Sequence, residues 1–186
     1  MKKIILMMGV FTLALLQVEV RPMIQMSIDG GGDKLVTAQL TTGKEELYAG
    51  SGLSFEGGIE FDTIDTDVAW KIQLLLGYKF SLIDASNASV DMTRVMLTAM
   101  ELYHFEAFIV GAGLTYHVSP TLSSDGDARG LDVDFDSAWG GMAQIAYAWT
   151  ERFSMGLKAT WIDYDVSDTK ISVDANNVGI YLSYKF

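Results

Sequence analysis

The sequence has no cysteine in its 186 residues, which excludes disulfides, thiolate metal sites and lipid attachment through an N-terminal cysteine. Proline is almost missing as well. Its two occurrences, Pro22 and Pro120, leave little to interrupt extended pairing. Beyond residue 22 no run approaches the roughly 18 consecutive apolar residues of a helical membrane span, so any crossing must be made by strands. Basic residues are scarce too, with 13 Lys and Arg against 24 Asp and Glu and a formal charge of −11. Residues 1–22 hold Lys2, Lys3, Arg21 and Glu19; without them the balance is 10 basic to 23 acidic, or −13. Such a surface disfavours nucleic acid as a partner, because phosphates need a basic footprint.

What is present is a chain 49% hydrophobic with 18 Gly, enough for one β domain. Met1, Lys2 and Lys3 followed by the apolar stretch Ile4 to Leu16 read as a secretory leader, too short to span a bilayer as a helix. The expected organisation is a signal peptide over 1–22 and one β domain over 23–186. From Met23 onward, apolar-alternating runs are separated by Gly, Asp, Ser and Asn clusters, the mark of strands joined in hairpins. Eight strands are expected, at roughly 23–40, 47–61, 68–83, 93–103, 107–119, 135–149, 153–167 and 175–186. Connections near 104–106 and 150–152 are very short. Those at 84–92 and 120–134 are longer and polar. Short turns on one rim and longer loops on the other suit a transmembrane barrel.

The closing run alternates strictly. Val178, Ile180, Leu182, Tyr184 and Phe186 take one face, and Gly179, Tyr181, Ser183 and Lys185 the other. In the third expected strand Trp70, Ile72, Leu74, Leu76, Tyr78 and Phe80 oppose Lys71, Gln73, Leu75, Gly77 and Lys79. Aromatics gather at the ends of these stripes, among them Phe61, Trp70, Trp139, Trp149, Phe153 and Trp161, as in the girdle of a membrane barrel. A soluble lipocalin-like binding barrel would use the same alternation turned inside out.

The leader-like start, the eight hairpin-linked strands and the ending Tyr184, Lys185, Phe186 resemble the small eight-stranded bacterial outer-membrane barrels, the family typified by the OmpA transmembrane domain. The run Gly111, Ala112, Gly113, Leu114, Thr115, Tyr116, His117, Val118, Ser119, Pro120 is also similar to a strand in that family. The resemblance implies an all-β, up-and-down antiparallel transmembrane barrel in the bacterial outer membrane. It also implies contact with outer-membrane lipid and lipopolysaccharide, and a sorting role for Phe186, read by the barrel-assembly machinery. An eight-stranded lumen is wide enough only for side chains, so a porin-like open pore is not expected. The charged residues Glu56, Glu60, Lys71, Lys79, Glu101 and Lys158 are expected to face inward and pair there, since an unpaired buried charge is costly.

Candidate chemistry is thin, and no catalytic site, cofactor or metal is expected. His117 and Ser119 lie two apart, where a base and a nucleophile share a strand face. That spacing resembles the lipid A deacylases, outer-membrane hydrolases with His-x-Ser and a later Glu, but no Glu occurs between residues 120 and 150. An EF-type calcium loop starting at Asp132 fails, with Ser137 where Gly belongs and Ala143 where Glu belongs. The run Asp29, Gly30, Gly31, Gly32, Asp33 lacks the Lys-Ser/Thr of a phosphate loop, and its glycines suit a bulge or a close backbone approach.

Overall fold

The computed structural model describes residues 18–40, 43–63, 70–84, 88–126, 129–167, 169 and 171–186. The expected leader, apart from its last five residues, lies outside the described residues. In chain order the strands are β1 (Val18–Gly30), β2 (Lys34–Leu40), β3 (Gly43–Tyr48), β4 (Gly52–Thr63), β5 (Trp70–Asp84), β6 (Ala88–Phe105) and β7 (Phe108–Gly126). There follow β8 (Val133–Asp134), β9 (Ala138–Ala148), β10 (Phe153–Trp161), β11 (Asp163–Asp165), β12 (Ser172–Asp174) and β13 (Asn177–Lys185).

Eight of these close a ring in the order β1, β4, β5, β6, β7, β9, β10, β13, every neighbour antiparallel and β13 returning to β1. Closure leaves no unpaired edge, the condition for a sheet whose outer face meets lipid. That outer face is apolar on all eight strands except at Glu101 of β6. Ile28, Leu76, Leu114, Leu157 and Ile180 all stand exposed on it. Aromatic rings bound this band at both ends. Toward the short turns, Trp70, Tyr103, Phe105, Phe108, Tyr147 and Trp149 form a chain with successive centroids 5.1 to 6.2 Å apart. Toward the other rim Tyr116 and Trp139 lie 4.7 Å apart, with Tyr78 and Phe80 on β5.

The first expected strand is divided in the structure. β1 begins at Val18, where it pairs with Thr63, and stops at Gly30; β2 then departs as one arm of a separate hairpin with β3. Gly31 and Gly32 make the break, with φ of 132° and 85°. A Cβ on Gly32 would lie 2.6 Å from Gly50 N and 2.8 Å from Asp174 O, so only glycine lets these loops meet. The expected loops at 84–92 and 120–134 are also largely strand, because β6 and β7 continue well beyond the length needed to cross a bilayer.

A bulge marks where that extension begins. Thr93 pairs with Thr121 and Val95 with Val118, so Arg94 alone faces Ser119 and Pro120. Below the bulge the strands are mainly apolar outside, and inside they are polar apart from one apolar layer. Above it the inside becomes apolar, with Val90, Met92, Ile83 and Leu122 turned inward, while the outside becomes mixed, with Asp91 and Thr93 beside Leu82. The inward set joins Leu47, Ala49, Phe135, Ile162, Tyr164 and Ala175 in one apolar cluster. This cluster forms a cap over the end of the barrel, with β2–β3, β8 and β11–β12 packed into it. The other rim carries the tight turns at Glu106–Ala107 and 149–152, and there Phe186 N donates to Pro22 O at 3.0 Å.

Candidate functional site

The interior of the barrel is stacked in tiers. Beneath the cap, Lys79 lies 2.8 Å from Asp29 and donates to Gly50 O at 2.8 Å. Lys158 lies 2.9 Å from Glu56 and 3.9 Å from Asp29. Gln25 and Ser54 also donate to Glu56, at 3.3 and 3.4 Å. Gly77 gives Glu56 its room, since a Cβ there would lie 2.5 Å from Glu56 Cγ. Arg94 enters the same tier from the bulge, donates to Ser51 O at 3.0 Å and sits over the Tyr164 ring. Its Nε and Nη1 have no hydrogen-bond partner among the described residues. The tier therefore holds three cationic side chains against two carboxylates, all buried.

Below it lies an apolar tier of Met100, Leu102, Ile109, Met142, Ala146 and Tyr181. The third tier is charged again. Glu60 lies 2.7 Å from Lys185 and 3.6 Å from Lys71, while Lys71 lies 2.7 Å from Asp62. Arg21 completes it, 3.9 Å from Asp62 and 2.8 Å from Glu19. Outside the membrane-spanning span of β1, the bond from Arg21 holds the Glu19 carboxyl below its ordinary range. Free space is unequal along this stack. Among Asp29, Glu56, Lys79, His117 and Lys158 it is about 10 Å³, the room of about one water. At the short-turn mouth a cavity of about 530 Å³ opens between Arg21, Asp62, Lys71, His104, Arg152 and Lys185.

Five of the six charged residues expected inside lie in these tiers: Glu56, Lys79 and Lys158 in the upper, Glu60 and Lys71 in the lower. Glu101 does not. It pairs across the sheet with Ile72 and Ala112, shares their outward face, and is exposed. Charge alone suggested an inward position, but register decides facing, and on β6 Met96, Met100 and Leu102 already fill the inward positions. The expected list lacked Asp29, Arg94, Asp62 and Arg21, while Lys185 lies inward as its place on the polar face of the closing run implies. Parity marks Asp29, which shares a face with Gln25 and Ser27, and Arg94, which shares one with Met96 and Thr98; the bulge on β7 opposite Arg94 has no such mark.

His117 and Ser119 are separated by the same bulge. His117 points inward onto the Tyr164 hydroxyl, with which its Nδ1 shares a short hydrogen bond. Ser119, at φ 37°, is exposed, and its backbone N–H donates to Ser137 Oγ at 3.0 Å. The base and hydroxyl of the proposed pair thus face different media. Among the described residues no cluster of three or more His, Asp or Glu is arranged to hold a metal ion.

No protein-family model and no curated protein matches the chain. Solved structures do. Neisserial surface protein A is similar over 91% of this chain and 99% of its own, at 11% identity and a TM-score of 0.56. A major outer membrane protein from Thermus thermophilus is similar over 90% of this chain and 99% of its own, at 12% identity and a TM-score of 0.51. The chain has the fold of the small bacterial outer-membrane barrels, an eight-stranded antiparallel barrel closed on itself.

Proposed function

We propose that this chain is an integral protein of the bacterial outer membrane with a structural or interaction role, whose lumen is filled by side chains and does not conduct. The change of polarity at the bulge supports the membrane reading, because a mainly apolar outside below it and an apolar inside with Asp91 and Thr93 outside above it match lipid and water respectively. What carries the non-conducting reading is the interior stack: two charged tiers, an apolar tier between them, and about 10 Å³ of space in the upper tier. A hydrated ion has no room there. Lipid and lipopolysaccharide are the surroundings this reading gives the barrel, and the capped rim, with Asp91, Asp134, Asp136, Asp163 and Asp165, is the surface it offers to other molecules. Phe186 takes a double part, in the short-turn girdle beside Tyr184, 5.2 Å away, and as the signal read by the barrel-assembly machinery. The separation of His117 from Ser119 favours this role over that of a lipid A hydrolase.

Planar-bilayer recording of the purified protein tests the conduction claim. Little steady conductance is expected; large, stable single-channel steps would overturn it.

A further inference from the structure

Glu101 is the charged residue that the stack leaves out. Among the described residues it is the only charged side chain on the outward face between the two aromatic girdles, and no hydrogen bond or ion pair there engages it. The basic residue nearest in register, Lys71, is next to Ile72 on β5 and points the other way, to Asp62 and Glu60. Among the described residues, therefore, none supplies a cation for Glu101. Tyr103 follows it on the same face of β6, about 7 Å along the strand, which is about 5 Å of depth at the usual tilt. Tyr103 pairs with Trp70 across the sheet, their ring centroids 5.1 Å apart at 55°. The rings thus lie in the short-turn girdle, where headgroups meet hydrocarbon, and the Glu101 carboxylate stands one register step inside it. Above them Leu74, Leu97 and Leu114 offer an apolar wall for acyl chains.

We propose that Glu101, Trp70 and Tyr103 form a site for the ammonium headgroup of an aminophospholipid. The ammonium donates to the Glu101 carboxylate and lies against the Trp70 and Tyr103 faces, combining an ion pair with a cation–π contact in a partly desolvated setting. An anionic headgroup is repelled from the same place. The site rests on the membrane-barrel reading.

The test uses the full chain inserted into vesicles of equal phosphatidylethanolamine and phosphatidylglycerol, then extracted in mild detergent. Lipid retained on the folded barrel is counted by mass spectrometry, and the mobility of unheated samples on a gel reports folding. Phosphatidylethanolamine is expected to be enriched about fivefold over phosphatidylglycerol, as a cation–π contact and an exposed ion pair allow. Glu101→Gln, nearly isosteric, should abolish the preference, and Glu101→Lys should turn it toward phosphatidylglycerol. Equal retention of both lipids, or an undiminished preference in folded Glu101→Gln, overturns the proposal alone. So does a discrete oligomer that retains no lipid, which would assign Glu101 to a protein contact. Failure of the unaltered chain to insert overturns the membrane reading with it.

Discussion

Replacing Glu56 by Gln should cost more than replacing its partner Lys158 by Met, although both changes break the same 2.9 Å pair. The reason lies in the composition of the upper tier, where Lys79, Lys158 and Arg94 face only Asp29 and Glu56. Glu56→Gln leaves three buried cations to share Asp29, and stripping one partner from a buried pair costs about 3–5 kcal/mol. Lys158→Met leaves two cations for two carboxylates and restores balance, so its cost should be about 1–3 kcal/mol, mainly lost hydrogen bonding to Glu56. The double variant should be about 2 kcal/mol more stable than the sum of the singles predicts, because the second change removes a group already unpaired. Urea unfolding from phospholipid vesicles measures all four proteins. Trp70, Trp139, Trp149 and Trp161 are all exposed on the outer face, so their fluorescence reports loss of the lipid contact. Additivity within about 0.5 kcal/mol, or a greater cost for Lys158→Met, would refute the claim that the tier carries an excess cation.

Two further outcomes are expected. Gly113→Val should prevent formation of the heat-resistant compact band, since a Cβ there runs into the Ala99 carbonyl oxygen, whereas Gly57→Ala should be tolerated, its Cβ meeting nothing within 4 Å; equal yields from the two would show that the β6–β7 approach is not limiting. Removing Phe186 should lower the amount of barrel assembled in cells while leaving refolding of purified protein into detergent nearly unchanged; an equal loss in both would reduce its role to the girdle.

The legible parts of the fold were those written in side-chain parity. On β5 and β13 the apolar and polar faces alternate, and the sequence alone assigns both. The tight turns beside Glu106 and at 149–152 could also be read in advance, because a short polar break between two alternating runs permits little else. On β6 the same reasoning failed. Met100 and Leu102 belong to the apolar tier inside the barrel and Met96 lies just above it, so both faces of that strand are mainly apolar and Glu101 has no contrasting neighbours to place it. The cap was illegible for a related cause: above the bulge the inside becomes apolar and the outside mixed, and local alternation cannot tell which side is then the core.

By itself, the sequence determined that the chain would be strands, how many would close, and that one face would be mainly apolar, because a period of two is a local property of the backbone. Only the tertiary structure decided which charges meet. Lys158 finds Glu56 across 102 residues and Lys185 finds Glu60 across 125, distances at which no local pattern acts. Those pairings follow from strand register and tilt around a closed ring, and the bulge opposite Arg94 sets where the lumen ends and the cap begins.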